Sequence, residues 1–128
     1  MKSLTEDWLN RAKDDLAFAE NFLADPLCSD KVVWFSRQSI EKSFRAVAES
    51  RNIEIPAGYS LFQLGKLAKN YAPEIDIEIV RAPDDINPSE AADFMRSAKH
   101  IFDICARISH HENINDDSIW DSQTLLYF

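Results

Sequence analysis

Glycine is scarce in this sequence, since only two occur among 128 residues. So few glycines exclude a glycine-rich phosphate-binding loop and argue against an all-β protein with many tight turns. Cysteine is equally scarce, and Cys28 and Cys105 lack the spacing of a metal site, so we expect a reduced cytoplasmic protein without metal or other cofactor. No apolar run is long enough to span a membrane, and the N-terminal segment lacks the apolar core of a signal peptide.

Positive charge is also in short supply, and most of it lies in the middle of the chain. The net charge is −8, whereas residues 31–70 hold seven Lys and Arg against three Asp and Glu, a local net charge of +4. Because phosphate contacts dominate the affinity of proteins for nucleic acids, the acidic whole argues against tight non-specific binding. Only the middle segment can attract phosphate.

Apolar residues recur at helical spacing in four segments, which predicts four main helices. Capping residues and prolines place these helices at about 3–24, 30–51, 61–71 and 87–111. Residues 74–87 alternate like a strand but have no partner strand, so we interpret them as a turn or short helix. The pattern predicts one all-α domain, an antiparallel helical bundle. Its predicted core includes Trp8, Leu16, Phe44, Leu64, Phe94, Ile101 and Phe102.

The second helix carries a polar stripe beside its apolar face, which consists of Gln38, Glu41, Lys42 and Arg45. At about 100° per residue these four side chains share one sector and contact one another in pairs. Two interpretations stay open. In the first, the polar stripe is a solvated face with helix-stabilising ion pairs. In the second, it faces a groove in which Glu41 orients Lys42 or Arg45 and an anionic ligand binds.

The polar stripe also carries a family resemblance. The run Phe35-x-x-Gln38-x-x-Glu41-Lys42-x-x-Arg45-Ala46, followed by a proline-containing connector and a short leucine-rich helix, resembles the HEPN family. The resemblance covers about residues 5–110, so we interpret 1–112 as one HEPN-like domain. The remainder, 113–128, is an acidic and then apolar tail that packs on the bundle or on a partner. The resemblance implies an up-and-down bundle of four or five helices, commonly a homodimer.

Many HEPN proteins are ribonucleases, often toxins of toxin–antitoxin modules, and others bind nucleotides or partner a nucleotidyltransferase. The ribonucleases carry an Arg and a His on the last long helix, separated by about four to six residues. Here Arg96 and His100 have only three residues between them, and Arg107 lies farther along the same face. Tyr59 also stands where family members often have His, and a Tyr side chain cannot transfer a proton near neutral pH.

The leading hypothesis is a HEPN-like nucleotide- or RNA-binding or protein-interaction module without ordinary ribonuclease activity. The polar stripe supplies its candidate ligand-binding residues, and its expected partners are a second copy, a nucleotidyltransferase or an antitoxin. One alternative is a divergent metal-independent endoribonuclease that uses Arg96 and His100, with Arg107 as a further catalytic candidate. The other alternative is a purely structural dimeric adaptor.

Overall fold

The computed structural model describes residues 3–81 and 86–117, with the side chains of the second range described as far as residue 110. Four helices make up most of the chain: α1 (Leu4–Asn21), α2 (Ser29–Ser50), α3 (Leu61–Lys69) and α4 (Pro88–Asp117). Two short 3-10 helices lie at Pro26–Cys28 and Ile77–Arg81. These described ranges contain no strand, so the all-α bundle and the short helix within 74–87 are both confirmed.

Capping residues explain where most of the helices begin. At the start of α1, Ser3 Oγ accepts a hydrogen bond from the Glu6 N–H, and the Glu6 carboxylate accepts one from the Ser3 N–H. Asn87 and Glu90 exchange the same two bonds at the start of α4. A third capping box opens α3. Each box satisfies backbone N–H groups that have no partner inside the helix.

Several helix boundaries differ from the predicted ones. The N-cap of α2 is Cys28, without a side-chain cap, so Asp30, the predicted first residue, lies within the first turn instead. α1 ends earlier than predicted, at Asn21, because the following N–H groups turn back to carbonyls three residues earlier. α4 continues to Asp117, beyond the predicted end at His111, and no Pro or Gly lies between them to stop it.

The hydrophobic core forms where α2 packs against the other three helices. Four of the predicted core residues are buried there: Phe44, Leu64, Phe94 and Ile101. Trp8, Leu16 and Phe102 are only half-buried, so the prediction placed them too deep. Trp8 lies at the edge between α1 and α2, and the other two line a cleft between α1 and α4.

Gly65 brings α3 close to the centre of the bundle. A Cβ atom at this position would lie 3.1 Å from Ile77 Cγ2 and 3.2 Å from Phe44 Cε2, closer than ordinary van der Waals contact. Glycine therefore lets α3 pack against both α2 and the 3-10 helix at Ile77–Arg81. This contact fixes the position of α3 relative to α2 and to the segment that follows α3.

The predicted division of the chain at residue 112 falls inside α4, and it stays a prediction. The apolar end of the predicted tail, from Ile119 onwards, lies outside the described residues. None of the helices in the described ranges is long and apolar enough to cross a membrane.

Candidate functional site

The C-terminal half of the polar stripe faces α1. Lys42 Nζ donates a hydrogen bond to Asp15 Oδ2 at 2.5 Å, and the two side chains are 25% and 10% exposed. Asp15 is therefore a nearly buried carboxylate whose charge is balanced by a lysine on the neighbouring helix. Spacing along α2 alone does not reveal this pair, because the partner lies 27 residues away in the sequence.

Arg45 is held on two sides. Its Nε donates to Glu41 Oε2 at 3.1 Å, and its guanidinium lies 5.5 Å from the centre of the Trp8 ring. Arg11 lies over the same ring at 5.6 Å. Glu41 therefore orients Arg45, whereas Lys42 is oriented by Asp15. Each cation of the polar stripe has a carboxylate partner, so its positive charge is largely compensated.

Gln38 lies apart from the rest of the polar stripe. It lines a cleft of about 740 Å³ with Lys31, Arg37 and the exposed Trp34, toward the N-terminal end of α2. The structure therefore does not bring the four predicted ligand-binding residues into one pocket. Their role in ligand binding stays a prediction.

The predicted catalytic residues lie on an exposed face of α4. Arg96 and His100 line one cleft of about 410 Å³ between α4 and the segment after α3, which we call the acidic cleft. Three carboxylates line it as well: Glu74, Asp76 and Asp93. Arg96 forms an ion pair with Asp93, and Arg107 donates to Glu74 Oε2 at 2.9 Å.

The acidic cleft has an unfavourable charge for an RNA backbone. Its three carboxylates outnumber the one guanidinium, with His100 as the only other titratable group among the lining side chains. A phosphodiester entering this cleft would meet a negative surface, and Arg96 would have to leave Asp93 to contact it. The structure thus brings Arg96 and His100 together in one cleft, which three carboxylates also line.

A larger cleft lies along α3, and the residue-level sequence predictions missed it. This α3 cleft, of about 850 Å³, is lined by residues that include Tyr59, Gln63, Lys66, Lys69, Asn70 and Tyr71. Two lysines line it and no carboxylate does. The +4 charge of residues 31–70 was the available signal, but it could not show that the connector and the turn after α3 meet.

The two cysteines are both free thiols. Burial raises the pKa of the Cys105 thiol to about 12, and the negative charge of Glu74 adds to the effect. Cys105 therefore stays protonated at neutral pH and acts as a small core residue rather than a nucleophile. Within the described ranges no group of three or more His, Cys, Asp and Glu side chains could hold a metal ion.

Comparison with known proteins identifies the domain. The family model of the HEPN domain matches residues 5–99, which include the polar stripe, the whole of α3 and Arg96. His100 and Arg107 lie beyond the matched residues. No curated protein and no solved structure matches the chain. Since the match covers most of the sequence and the helical bundle agrees with it, the chain belongs to the HEPN domain family, whose members are nucleotide-binding and ribonuclease-like modules.

Proposed function

We propose that this chain is a HEPN module that binds a nucleotide or RNA and lacks Arg–His ribonuclease activity. The observation that carries the proposal is the composition of the acidic cleft, where three carboxylates surround Arg96 and His100. Family membership supports binding, because HEPN domains often bind nucleotides or RNA. The charge of the cleft argues against cleavage at that place.

Metal-independent cleavage of RNA needs two things from the protein. A group must move a proton from the 2′-hydroxyl or to the leaving oxygen, and a cation must stabilise charge that develops on the phosphate. His100 can do the first, but Arg96 is already paired with Asp93, and Arg107 with Glu74. A phosphate beside His100 would therefore have to compete with a carboxylate for either arginine.

The endoribonuclease alternative rests on one specific observation. Arg96 and His100 lie one helical turn apart and line the same cleft, so a substrate could contact both side chains. For this alternative to hold, RNA would have to displace Asp93 from Arg96 and remain bound beside Glu74 and Asp76. Repulsion between the phosphodiester and these carboxylates favours binding without cleavage.

The proposal also covers the location and the partners of the module. It acts in the cytoplasm as a homodimer or with a nucleotidyltransferase or antitoxin partner, as HEPN domains often dimerise. A purely structural adaptor would share this assembly but would bind no nucleotide. Binding is therefore the property that separates the two functions.

A thermal-shift screen with nucleotides and short RNAs, paired with an RNA-cleavage assay, tests the proposal. We expect at least one nucleotide or RNA to raise the melting temperature, without cleavage products. Cleavage that disappears in His100→Ala would establish the endoribonuclease instead. A melting temperature that no nucleotide or RNA changes would leave the structural adaptor.

A further inference from the structure

We infer that the α3 cleft binds the phosphate and base of a nucleoside phosphate, supplied as a free nucleotide or as single-stranded RNA. The inference rests on the proposed function and assigns that function to a site outside both the polar stripe and the acidic cleft. Its volume of about 850 Å³ lies within the range of about 300–1,000 Å³ that is usual for ligand pockets.

Charge distinguishes the α3 cleft from the other three clefts described above. Lys66 and Lys69 line it, and none of its lining residues is acidic. The acidic cleft holds three carboxylates, and the cleft between α1 and α4 balances its two lysines with two carboxylates. The cleft at Gln38 has Lys31 and Arg37 but also Asp30 among its lining residues. Of these four clefts, only the α3 cleft is lined by cations and no carboxylate, which favours an anion in a chain with a net charge of −8.

The two lysines are suited to different tasks. Lys69 Nζ donates to the carbonyl oxygens of Pro73 at 2.9 Å and Ile75 at 2.6 Å, which fixes its ammonium group in place. An ammonium has three N–H donors, so one remains for a ligand. Lys66 is exposed, with its Nζ 5.6 Å from the centre of the Phe62 ring, and it can move toward a phosphate.

Aromatic side chains beside these cations provide surfaces for a base. Tyr71 is 38% exposed, and the Arg51 guanidinium lies 4.6 Å from its ring centre. Tyr59, which lies in the connector before α3, also lines the cleft. Stacking of a base on an aromatic ring contributes about 1–3 kcal/mol and tolerates any base.

Amide side chains complete the cleft. The side-chain carbonyl oxygen of Gln63 accepts a hydrogen bond from the Ser60 N–H at 2.8 Å. This bond orients the amide, and its NH₂ group takes no part in the capping box. Asn70 lines the cleft at the end of α3. Amides carry both donors and acceptors, the complement of a base edge. The α3 cleft thus combines phosphate, stacking and edge-binding groups.

The test measures binding of three probes by purified wild-type protein and variants. The probes are inorganic phosphate, adenosine 5′-monophosphate and a fluorescein-labelled single-stranded RNA of about 12 nucleotides. We expect Lys66→Ala to weaken binding of the preferred probe about five- to tenfold and Lys66→Arg to restore it. If RNA is that probe, Lys66→Ala should also reduce the salt dependence of binding by about 0.7 in slope.

Lys99→Ala serves as the matched control. It removes the same charge from the cleft between α1 and α4, and we expect it to leave the affinity within about twofold. Lys42→Ala tests the rival site, because it removes a charge from the polar stripe, and its effect on binding is measured in the fraction that remains folded. Tyr71→Ala should weaken binding at least about fivefold, whereas Tyr71→Phe keeps the ring and the affinity.

The outcomes distinguish a failure of the proposed function from a failure of the α3 cleft as its site. Wild-type protein that binds none of the probes overturns the proposed function and this inference together. Binding that Lys42→Ala abolishes and Lys66→Ala leaves intact places the ligand at the polar stripe and overturns the α3 cleft alone. Preferred binding of adenosine 5′-monophosphate assigns a free nucleotide, and preferred binding of the oligonucleotide assigns RNA. Inorganic phosphate bound as tightly as both overturns the assignment of a base site.

Discussion

At the scale of single residues, the chain uses its scarce cations in two ways. Lys42 and Arg45 each have a carboxylate within hydrogen-bonding distance and an α1 residue beside them, so they contribute to helix packing. Lys66 and Lys69 instead line a cleft without carboxylates. The same residue type thus stabilises the fold in one place and remains accessible to an anion in the other.

We expect Lys42→Ala to lower the free energy of unfolding by about 1–3 kcal/mol, because it leaves the nearly buried Asp15 carboxylate without its partner. Arg11→Ala is the matched control, since it removes a cation from an ion pair with side chains that are 60% and 45% exposed. An exposed pair of this kind contributes at most about 1 kcal/mol. Urea denaturation of both variants checks the difference, and equal losses would contradict the packing role of Lys42.

Cys105 makes the free energy of unfolding depend on pH in the alkaline range. Its pKa in the folded state is about 12, against an ordinary value of 9.0, so the native protein keeps a proton that the unfolded chain releases between these values. Its contribution to stability is present below pH 9.0 and falls as the pH rises above it, by about 1.4 kcal/mol per pH unit.

The Cys105→Ala variant isolates this effect from the titration of lysines and tyrosines. We expect the free energy of unfolding of the variant, measured by denaturation at a series of pH values, to fall less steeply above pH 9.0 than that of the parent. Parallel curves for the two proteins would show that the thiol does not titrate differently in the folded state.

At the scale of helices, α3 depends on a close approach that only glycine permits. In an open helix Gly65→Ala would add about 1 kcal/mol of helix propensity. Here the new methyl group would meet Phe44 and Ile77, and Phe44 is fully buried and cannot move aside. Overpacking of this kind costs about 1–3 kcal/mol, so we expect a net loss of about 1 kcal/mol.

Phe44→Leu removes the atoms that the alanine methyl group would meet. In that background Gly65→Ala should cost less than in the parent, because contacting residues are not additive in their effects. Chemical denaturation of the two single variants and the double variant measures the coupling. A stabilising effect of Gly65→Ala in the parent would contradict the close contact.

Phe44 and Phe102 should differ in how much they stabilise the fold, although the apolar pattern of the sequence places both in the core. Phe44 is fully buried, whereas Phe102 is half-buried beside the cleft between α1 and α4. We expect Phe44→Ala to cost about 3–5 kcal/mol and Phe102→Ala about half as much. Denaturation midpoints of the two variants give the comparison, and similar losses would place Phe102 in the core as the sequence predicted.

Local features of the sequence predicted the helices well and the clefts poorly. Ser3 and Asn87 mark helix starts because caps and their partners lie within three residues. The Lys42–Asp15 pair and the α3 cleft join residues that are distant in sequence, so periodicity along one helix could not reveal them. Trp8 was predicted in the core because its spacing fits, although its ring lies at a helix edge beside two arginines.

At the scale of the whole molecule, the acidic net charge is unevenly arranged over the clefts. The acidic cleft on α4 repels phosphate, and the α3 cleft attracts it. This arrangement allows an overall acidic protein to bind an anion at one place while non-specific binding to nucleic acid stays weak. It also separates the proposed binding surface from the residues that resemble a ribonuclease motif.

The homodimer belongs to the same scale and stays a prediction. We expect two chains to associate through the last long helix or the tail, since symmetric contact between identical surfaces is the commonest route to a small oligomer. Light scattering at high micromolar concentration should give the mass of two chains. A variant that ends at Asp117 then distinguishes the helix from the tail, and a monomeric full-length chain would contradict the prediction.

The most direct test of binding without cleavage follows one RNA sample for both properties. End-labelled single-stranded RNA is incubated with wild-type protein and with His100→Ala in the presence of a chelator, and bound and cleaved fractions are measured together. We expect that both proteins bind the RNA and that neither cleaves it faster than buffer does, because three carboxylates line the cleft that holds Arg96 and His100. Cleavage by the wild-type protein that His100→Ala abolishes would contradict the account.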